Sequence, residues 1–485
     1  MFKSPIIKIL KTFSKQDLKE FGLFVRSPFF NTNQSVIKLF EQIKKYHPEF
    51  DDKIQGKELL FEKTFGKIKY DDSFMRVTVF RLLELAKEFL IHRNLKRNDL
   101  LKDVILLDEL NYCELYDVIL RSISDLEKKT DKIKVRDDQL YFFKYRMEYF
   151  KNEVKAKDTK LITYKDALTE DLMLEQRNLN IYFFINSLKF FQFFLNQKDF
   201  VVNASGYPEF VNNVLEYLET NNEYLNVPTL KTYYLLIKLI SKKDNKYFYE
   251  LKDLLLLEEK DVLGYLEKFN IIAVLRNYAH SKLNEGDLSF KDSIFEITKY
   301  SIDKDILSNT ESSRFISETR FMNLVWTATV SKQLDWLEEF INKFKNRIEP
   351  DKRQYVLAYS KAVLEFERGN YSNALEMLAK SGPIKNVFYK AAIKQLTLMN
   401  YYELKWFIPA AELLDAYRHF VKTDKLLPDT YILRCNTFIN YFSKLLKMND
   451  DIKSNGHEIS KLISDLKSTS QTWLLRKAQE LDVST

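Results

Sequence analysis

The chain has 485 residues, of which 45% are hydrophobic and 30% charged, with a formal net charge of +7. Its nine glycines and nine prolines are about a third of the usual supply, since Gly averages about 7% and Pro about 5% of residues. That shortage excludes Rossmann and P-loop folds, whose phosphate turns need glycine, and β-sandwiches or barrels, which need frequent turn signals. A mostly helical chain with a buried core remains.

Residues 1–97 read as a small N-terminal helical module. The opening MFKSPIIKILKTFSKQD has an apolar core cut by Lys8 and Lys11, with no small-residue cleavage site, so no signal peptide is expected. Ser14-Lys15-Gln16-Asp17 reads as a capping box that starts a helix reaching Val25. Ser27-Pro28-Phe29-Phe30-Asn31 then turns the chain: Pro28 stops one helix, Asn31 or Asn33 caps the next, and Phe29 or Phe30 staples the entry. A docking loop with two exposed phenylalanines is the functional alternative. The next helix runs to Tyr46 and breaks at His47-Pro48, and a further one ends at Phe65 with Gly66 as C-cap. From Asp71 to Arg97, Met75, Val79, Leu82, Ala86, Phe89 and Leu90 form one helical stripe, with Asp71, Asp72 or Ser73 as cap.

Residues 98–205 form a long-helix region. No proline occurs between Pro48 and Pro208 and no glycine between Gly66 and Gly206, so long helices with polar turns are predicted. Within it, residues 128–165 hold 12 basic and 6 acidic residues. Lys128, Lys129, Lys132, Lys134 and Arg136 lead this run, which goes on through Lys144, Arg146, Lys151, Lys155, Lys157, Lys160 and Lys165. Tyr141, Phe142, Phe143, Tyr145, Tyr149 and Phe150 lie among them. Basic and aromatic residues interleaved on a helix can follow a phosphate backbone, which makes the first five a candidate anionic-partner patch. The other reading is a solvated helix with an aromatic core face, interrupted by Asp131, Asp137 and Asp138. Further on, Leu179–Leu195 carries Tyr182, Phe183, Phe184, Phe190, Phe191, Phe193 and Phe194 all round the helix, which predicts burial on every face. No stretch reaches the ~18 consecutive apolar residues of a membrane span.

Residues 206–485 read as a helical-repeat region. Gly206-Tyr207-Pro208, Val227-Pro228, Glu349-Pro350, Gly382-Pro383 and Leu427-Pro428 separate apolar-periodic stretches, which predicts antiparallel neighbouring helices. The clearest repeat is 354–379, QYVLAYSKAVLEFERGNYSNALEMLA. Gly369 lies between two apolar helices, with Ala362 seven before it, Tyr371 two after, Ala374 five after and Leu378 nine after. Ala410, Ala411, Leu413 and Leu414 echo Ala374, Leu375, Met377 and Leu378 at an offset of 36, with Lys405 in the glycine's place. These residues resemble the tetratricopeptide repeat, whose period is about 34. The pattern departs at Lys361, where that family has a large apolar residue. The turn SPFFN, the Leu39-Phe40…His47-Pro48 spacing, and the stretches YYELKWF and TWLLRK also resemble a group of long uncharacterised helical proteins from bacteria. That second resemblance implies a helical fold and no chemistry.

Reactive residues are scattered. His47, His92, His280, His419 and His457 are at least 38 positions apart, and no His-x₃-His, Cys-x₂-Cys or HExxH occurs. There is no GxSxG elbow. Cys113 and Cys435, 322 positions apart, read as buried small side chains in a reducing compartment. No catalytic, cofactor-binding or metal-binding residue is assigned. The expected fold is therefore all-α: stacked antiparallel helix pairs forming a tetratricopeptide-like superhelix after the N-terminal module. The expected function is a cytoplasmic, non-catalytic scaffold or adaptor that binds a protein or peptide on its concave face. A nucleic-acid-associated protein using 128–165 is the first alternative, and an enzyme with a site built from scattered residues is the second.

Overall fold

A computed structural model describes residues 4–48, 50, 57–66, 68–157, 165–196, 207–257, 261–308, 310–311, 314–450, 456–467, 469 and 471–484. Among these residues the regular structure is entirely helical, without strands. Among the described residues no helix is long and apolar enough to cross a membrane. The chain divides into two compact units. One comprises residues 1–132 and 142–178; the other comprises residues 133–141 and 179–485.

The first unit begins with α1 (Pro5–Lys11), α2 (Lys15–Arg26), α3 (Gln34–Ile43), α4 (Lys57–Phe65) and α5 (Asp72–Arg97). Local signals set their ends. The Ser14 hydroxyl accepts from the Asp17 N–H while the Asp17 carboxylate accepts from the Ser14 N–H, a complete capping box. Asn33 caps α3 and Asp71 caps α5. In the SPFFN turn Phe30 is the staple, stacked on Phe24 at 3.9 Å, whereas Phe29 is 88% exposed. Phe13, Phe40 and Phe89 surround Phe21 with ring centroids 5.0–5.6 Å away, which makes an aromatic core. α6 (Asp99–Tyr112) and α7 (Tyr116–Asp131) pack as a hairpin. Leu107, Ile119, Ile123 and Leu126 are buried with Phe143, Met147 and Phe150 of the next helix, α8 (Asp138–Lys157). α8 and α9 (Lys165–Asn196) each contribute residues to both units.

α9 corrects one expectation. Ile185 and Leu188 are fully buried, but Phe183, Phe190 and Phe193 are 46%, 55% and 62% exposed. An apolar residue at every angle does not supply a neighbour at every angle. α9 packs its Ile185 side into the core shared with α10 (Tyr207–Thr220) and leaves the rest partly in water. Gly206, expected in the preceding turn, lies outside the described residues.

The second unit continues as helix pairs: α11 (Pro228–Lys242) with α12 (Asn245–Leu256), α13 (Tyr265–Asn284) with α14 (Phe290–Asp303), α15 (Glu318–Val330) with α16 (Leu334–Phe344), α17 (Arg353–Glu367) with α18 (Tyr371–Ala379), and α19 (Val387–Glu403) with α20 (Phe407–Thr423). It ends in α21 (Asp429–Asp450), α22 (Gly456–Lys467) and α23 (Thr472–Ser484). Four of these pairs close through the same backbone device. Gly286, Lys332, Gly369 and Lys405 have positive φ of 92°, 57°, 80° and 61°. In each, that residue's N–H donates to the carbonyl three residues back, and the following N–H donates to the carbonyl five back. Gly369 bonds Phe366 at 3.0 Å and Asn370 bonds Glu365 at 2.8 Å; Lys405 bonds Tyr402 at 3.0 Å and Trp406 bonds Tyr401 at 2.8 Å. This left-handed closure satisfies carbonyls that the helix end would otherwise orphan. The positions 332, 369 and 405 are spaced by 37 and 36 residues.

Packing follows the turn. Ala362 and Ala374 are fully buried between α17 and α18, and Leu398 and Ala410 occupy the equivalent places 36 residues on. Lys361, the departure from the repeat pattern, is exposed. A lysine in left-handed backbone carries a strain of ~1–2 kcal/mol that glycine does not, less what glycine loses in unfolded-chain entropy. Lys405→Gly is therefore expected to raise stability by ~0.5–1 kcal/mol, read as a higher urea midpoint. Gly369→Ala should shift the midpoint down by a similar amount, because a Cβ there meets nothing within 4 Å and only the backbone is strained.

Candidate functional site

The basic run is divided by the fold. Lys128 and Lys129 are in the last turn of α7 and Lys132 caps it, all in the first unit. Lys134 and Arg136 belong to the segment 133–141 of the second unit, where the Arg136 N–H donates to the Val262 carbonyl at 2.9 Å. Much of the charge is already matched. Lys128 pairs with Asp125, Lys129 with Asp103 and Arg146 with Asp108; Lys155 meets Asp171, and Lys151 sits among Glu127, Glu148 and Asp171. Phe143 and Phe150 point into the core, and the Arg146 guanidinium lies 4.8 Å from the Phe150 ring centroid. Lys160 and the side chain of Lys165 lie outside the described residues.

Asp137 and Asp138, read in sequence only as interruptions, help to build a polar cluster inside the second unit. Lys189 projects from the apolar α9, with Nζ 2.6 Å from the Asp138 carboxylate and 3.0 Å from Glu267 Oε1. It also lies 5.5 Å from the Tyr233 ring centroid. The Tyr233 hydroxyl donates to Glu267 at 3.3 Å and accepts from Asn270 at 3.2 Å. Burial works to lower the Lys189 pKa, but Glu267 and Asp138 together hold it above the ordinary lysine value. Asp137 caps α8 through the Leu140 N–H at 2.9 Å; burial raises its pKa, and Asp138 and Glu267 push the same way. Gly264 makes the approach possible, since a Cβ there would stand 2.5 Å from Glu267 Oε2. The cluster ties residues 133–141 to α9 and α13. The signal available in sequence was a lone lysine in an aromatic helix, which must find a counter-charge if it is buried.

A second constellation joins the first helices of successive pairs and α21. His280 of α13 meets Trp326 of α15 at 4.2 Å between centroids. The Tyr389 hydroxyl of α19 donates to the Glu318 carbonyl of α15 at 2.9 Å, and Tyr359 of α17 packs on Tyr389 at 5.4 Å. Phe388 meets Tyr431 of α21 at 5.0 Å. Arg434, one turn further along α21, exerts its charge on His280, Tyr359 and Tyr431. Tyr359, Trp326 and Tyr431 are each half-buried. Burial first, and then Arg434, bring the His280 pKa down to about 4. Burial lowers the Arg320 guanidinium of α15 to about 10. Burial pushes Tyr431 up to about 12, with Cys435 adding to it and Arg434 opposing. No short motif marks these residues. Each is a polar or aromatic side chain on an otherwise apolar helix, and they are separated by up to 154 positions, from His280 to Arg434.

Among the described residues no group of three or more His, Cys, Asp or Glu is placed to hold a metal ion. Cys435 is buried as expected, but Cys113 is exposed, because it caps α6 beside the left-handed Glu114 rather than facing the core. Comparison of the chain with known protein families, curated proteins and solved structures gives no match.

Two outcomes follow. Lys189→Met should lower stability by ~2–3 kcal/mol, somewhat below the value for a fully buried pair because Lys189 keeps partial exposure. Adding Asp138→Asn and Glu267→Gln should recover part of that loss in urea denaturation, because no unmatched charge then stays inside. His280 stays neutral in the folded chain down to about pH 4, whereas the unfolded chain takes up its proton near 6.5. Stability should therefore fall as pH drops below 6.5, with the loss complete near 4. Between pH 7.5 and 5.0 wild type should lose ~2 kcal/mol more than His280→Gln does, measured side by side by urea denaturation.

Proposed function

We propose that this chain is a cytoplasmic, non-catalytic scaffold or adaptor. In this reading the helix pairs of the second unit stack as a tetratricopeptide-like superhelix, and a protein or peptide partner lies along its concave face. The observation that carries the reading is the repeated closure of consecutive pairs at Lys332, Gly369 and Lys405, with the same hydrogen bonds in each. Pairs closed alike and joined in succession set their first helices side by side. His280, Trp326 and Tyr359 come from three such first helices, α13, α15 and α17, and Tyr431 of α21 shares their neighbourhood. Partly open aromatic side chains grouped in this way are the residues that dominate binding energy at protein interfaces.

Affinity capture from the native cell tests the reading. The variant Tyr359→Ala, Tyr431→Ala should lose the co-purifying protein, because removing anchors of this type costs ~2 kcal/mol or more each, while far-UV circular dichroism stays helical. Reversal of Lys128, Lys129, Lys132, Lys134 and Arg136 to Glu should leave capture unchanged. If the reversals abolish binding and the tyrosine variant does not, function moves to the basic run.

A further inference from the structure

The exposed apolar residues of α9 in the second unit fall on one line. Leu179, Phe183, Phe190 and Phe193 are exposed, while Ile181, Ile185 and Leu188 are buried. With the half-buried Asn186 they are spaced by 4, 3, 4 and 3 residues. That is the repeat of about 3.5 residues along which one helix packs on another. Two rings of α10 widen the surface. Phe210 is exposed with its centroid 6.1 Å from that of Phe183, and Tyr217 is exposed beside Phe184 at 5.6 Å. The six exposed side chains are 39–62% accessible. An aromatic side chain offers about 150–250 Å² in full, so together they place roughly 500–600 Å² of apolar surface in water. That lies at the upper end of the ~300–600 Å² found for the largest patch on an ordinary monomer. Lys189, the one charged residue of 179–196, is engaged by Asp138 and Glu267.

We infer that this face joins two copies of the chain, α9 against α9, antiparallel across a two-fold axis near Asn186. Three observations select a second copy over an unlike partner. First, the line is nearly symmetric about its amide: Leu179 and Phe183 precede Asn186, and Phe190 and Phe193 follow it at matching intervals. An antiparallel pair sets the Leu179–Phe183 end of one copy against the Phe190–Phe193 end of the other, with the two amides at the centre. Asn186 Nδ2 donates to the Tyr182 carbonyl at 2.9 Å, which leaves its second N–H and its carbonyl oxygen for the facing amide. One asparagine in such a seam fixes register and the number of helices. Second, a two-fold interface presents the same patch from both copies, so a charged line would repel itself, and this line carries no free charge. Third, the area fits. Each partner gives about 800 Å² to a standard interface, and homodimer interfaces are about 65% apolar, close to the surface exposed here. The inference goes beyond the scaffold reading and does not depend on it.

Sedimentation equilibrium of the full chain across a range of concentrations tests it. Wild type should be a reversible dimer. Phe183→Ser, Phe193→Ser should weaken the dimer about a hundredfold or more, because a two-fold axis removes each aromatic anchor twice, with far-UV circular dichroism unchanged. Phe29→Ser, an exposed ring of the first unit, should dimerise as wild type does. Tyr359→Ala, Tyr431→Ala should also dimerise normally, which separates this inference from the scaffold reading. Cross-linking reads the geometry, in a Cys113→Ser background because Cys113 is exposed. Asn186→Cys should give a disulfide-linked dimer on mild oxidation. Leu179→Cys should not, since the antiparallel pair holds the two copies of that position about 20 Å apart. This arm gives the answer if the serine variant does not fold. A monomer at every concentration, a dimer that survives Phe183→Ser, Phe193→Ser, or cross-linking at 179 in preference to 186 would overturn the inference. A monomer that holds an unlike protein through Phe183 and Phe193 would overturn it as well.

Discussion

Each helix pair of the second unit depends on one residue whose backbone turns left-handed. At Gly286, Lys332, Gly369 and Lys405 two N–H groups there find carbonyls that the first helix leaves unbonded, and at Lys243 one does, donating to Leu239. The second helix then leaves in a set direction, and small or compact side chains such as Ala362, Ala374 and Ala410 can meet across the pair. Glycine adopts this conformation freely, but lysine occupies it at Lys243, Lys332 and Lys405. At those turns the packing of the pair must offset the backbone strain. The hairpin is thus held by its buried faces, and the turn residue is chosen only weakly.

The same economy of space governs charge. A helix bundle has little room for a cation without a partner, and the chain meets this in a consistent way. The basic run around α7 and α8 looks like a field when read along the chain, but Asp103, Asp108 and Asp171 approach it from other helices and consume much of it as ion pairs. In the second unit, Lys189 enters an aromatic helix only because Asp138 and Glu267 converge on it, with Gly264 clearing the way. Arg320 departs from this pattern, with its Nε and Nη2 buried and without a hydrogen-bond partner among the described residues.

Helices and their ends were legible in the sequence because they depend on near neighbours. The scarcity of Gly and Pro announced the fold class, and Ser14, Asn33 and Asp71 each cap through a bond to a residue two or three positions on. The 354–379 repeat was legible for the same reason, since Ala362, Gly369 and Ala374 act within one hairpin. Its relatives were obscured where lysine replaced glycine, because a side chain that tolerates strain leaves no signature. The burial of α9 was misjudged, since residue type states what could be buried and not whether a neighbour comes to cover it.

Local chemistry therefore settled the helices, their caps and one clear hairpin. Tertiary packing decided which cations meet carboxylates and which do not. That difference is not written in any short stretch: Lys189 and Glu267 are 78 positions apart, and His280 and Arg434 are 154 apart. Electrostatic and aromatic contacts act over a few ångströms of space regardless of distance along the chain, so only the folded arrangement could bring these groups together.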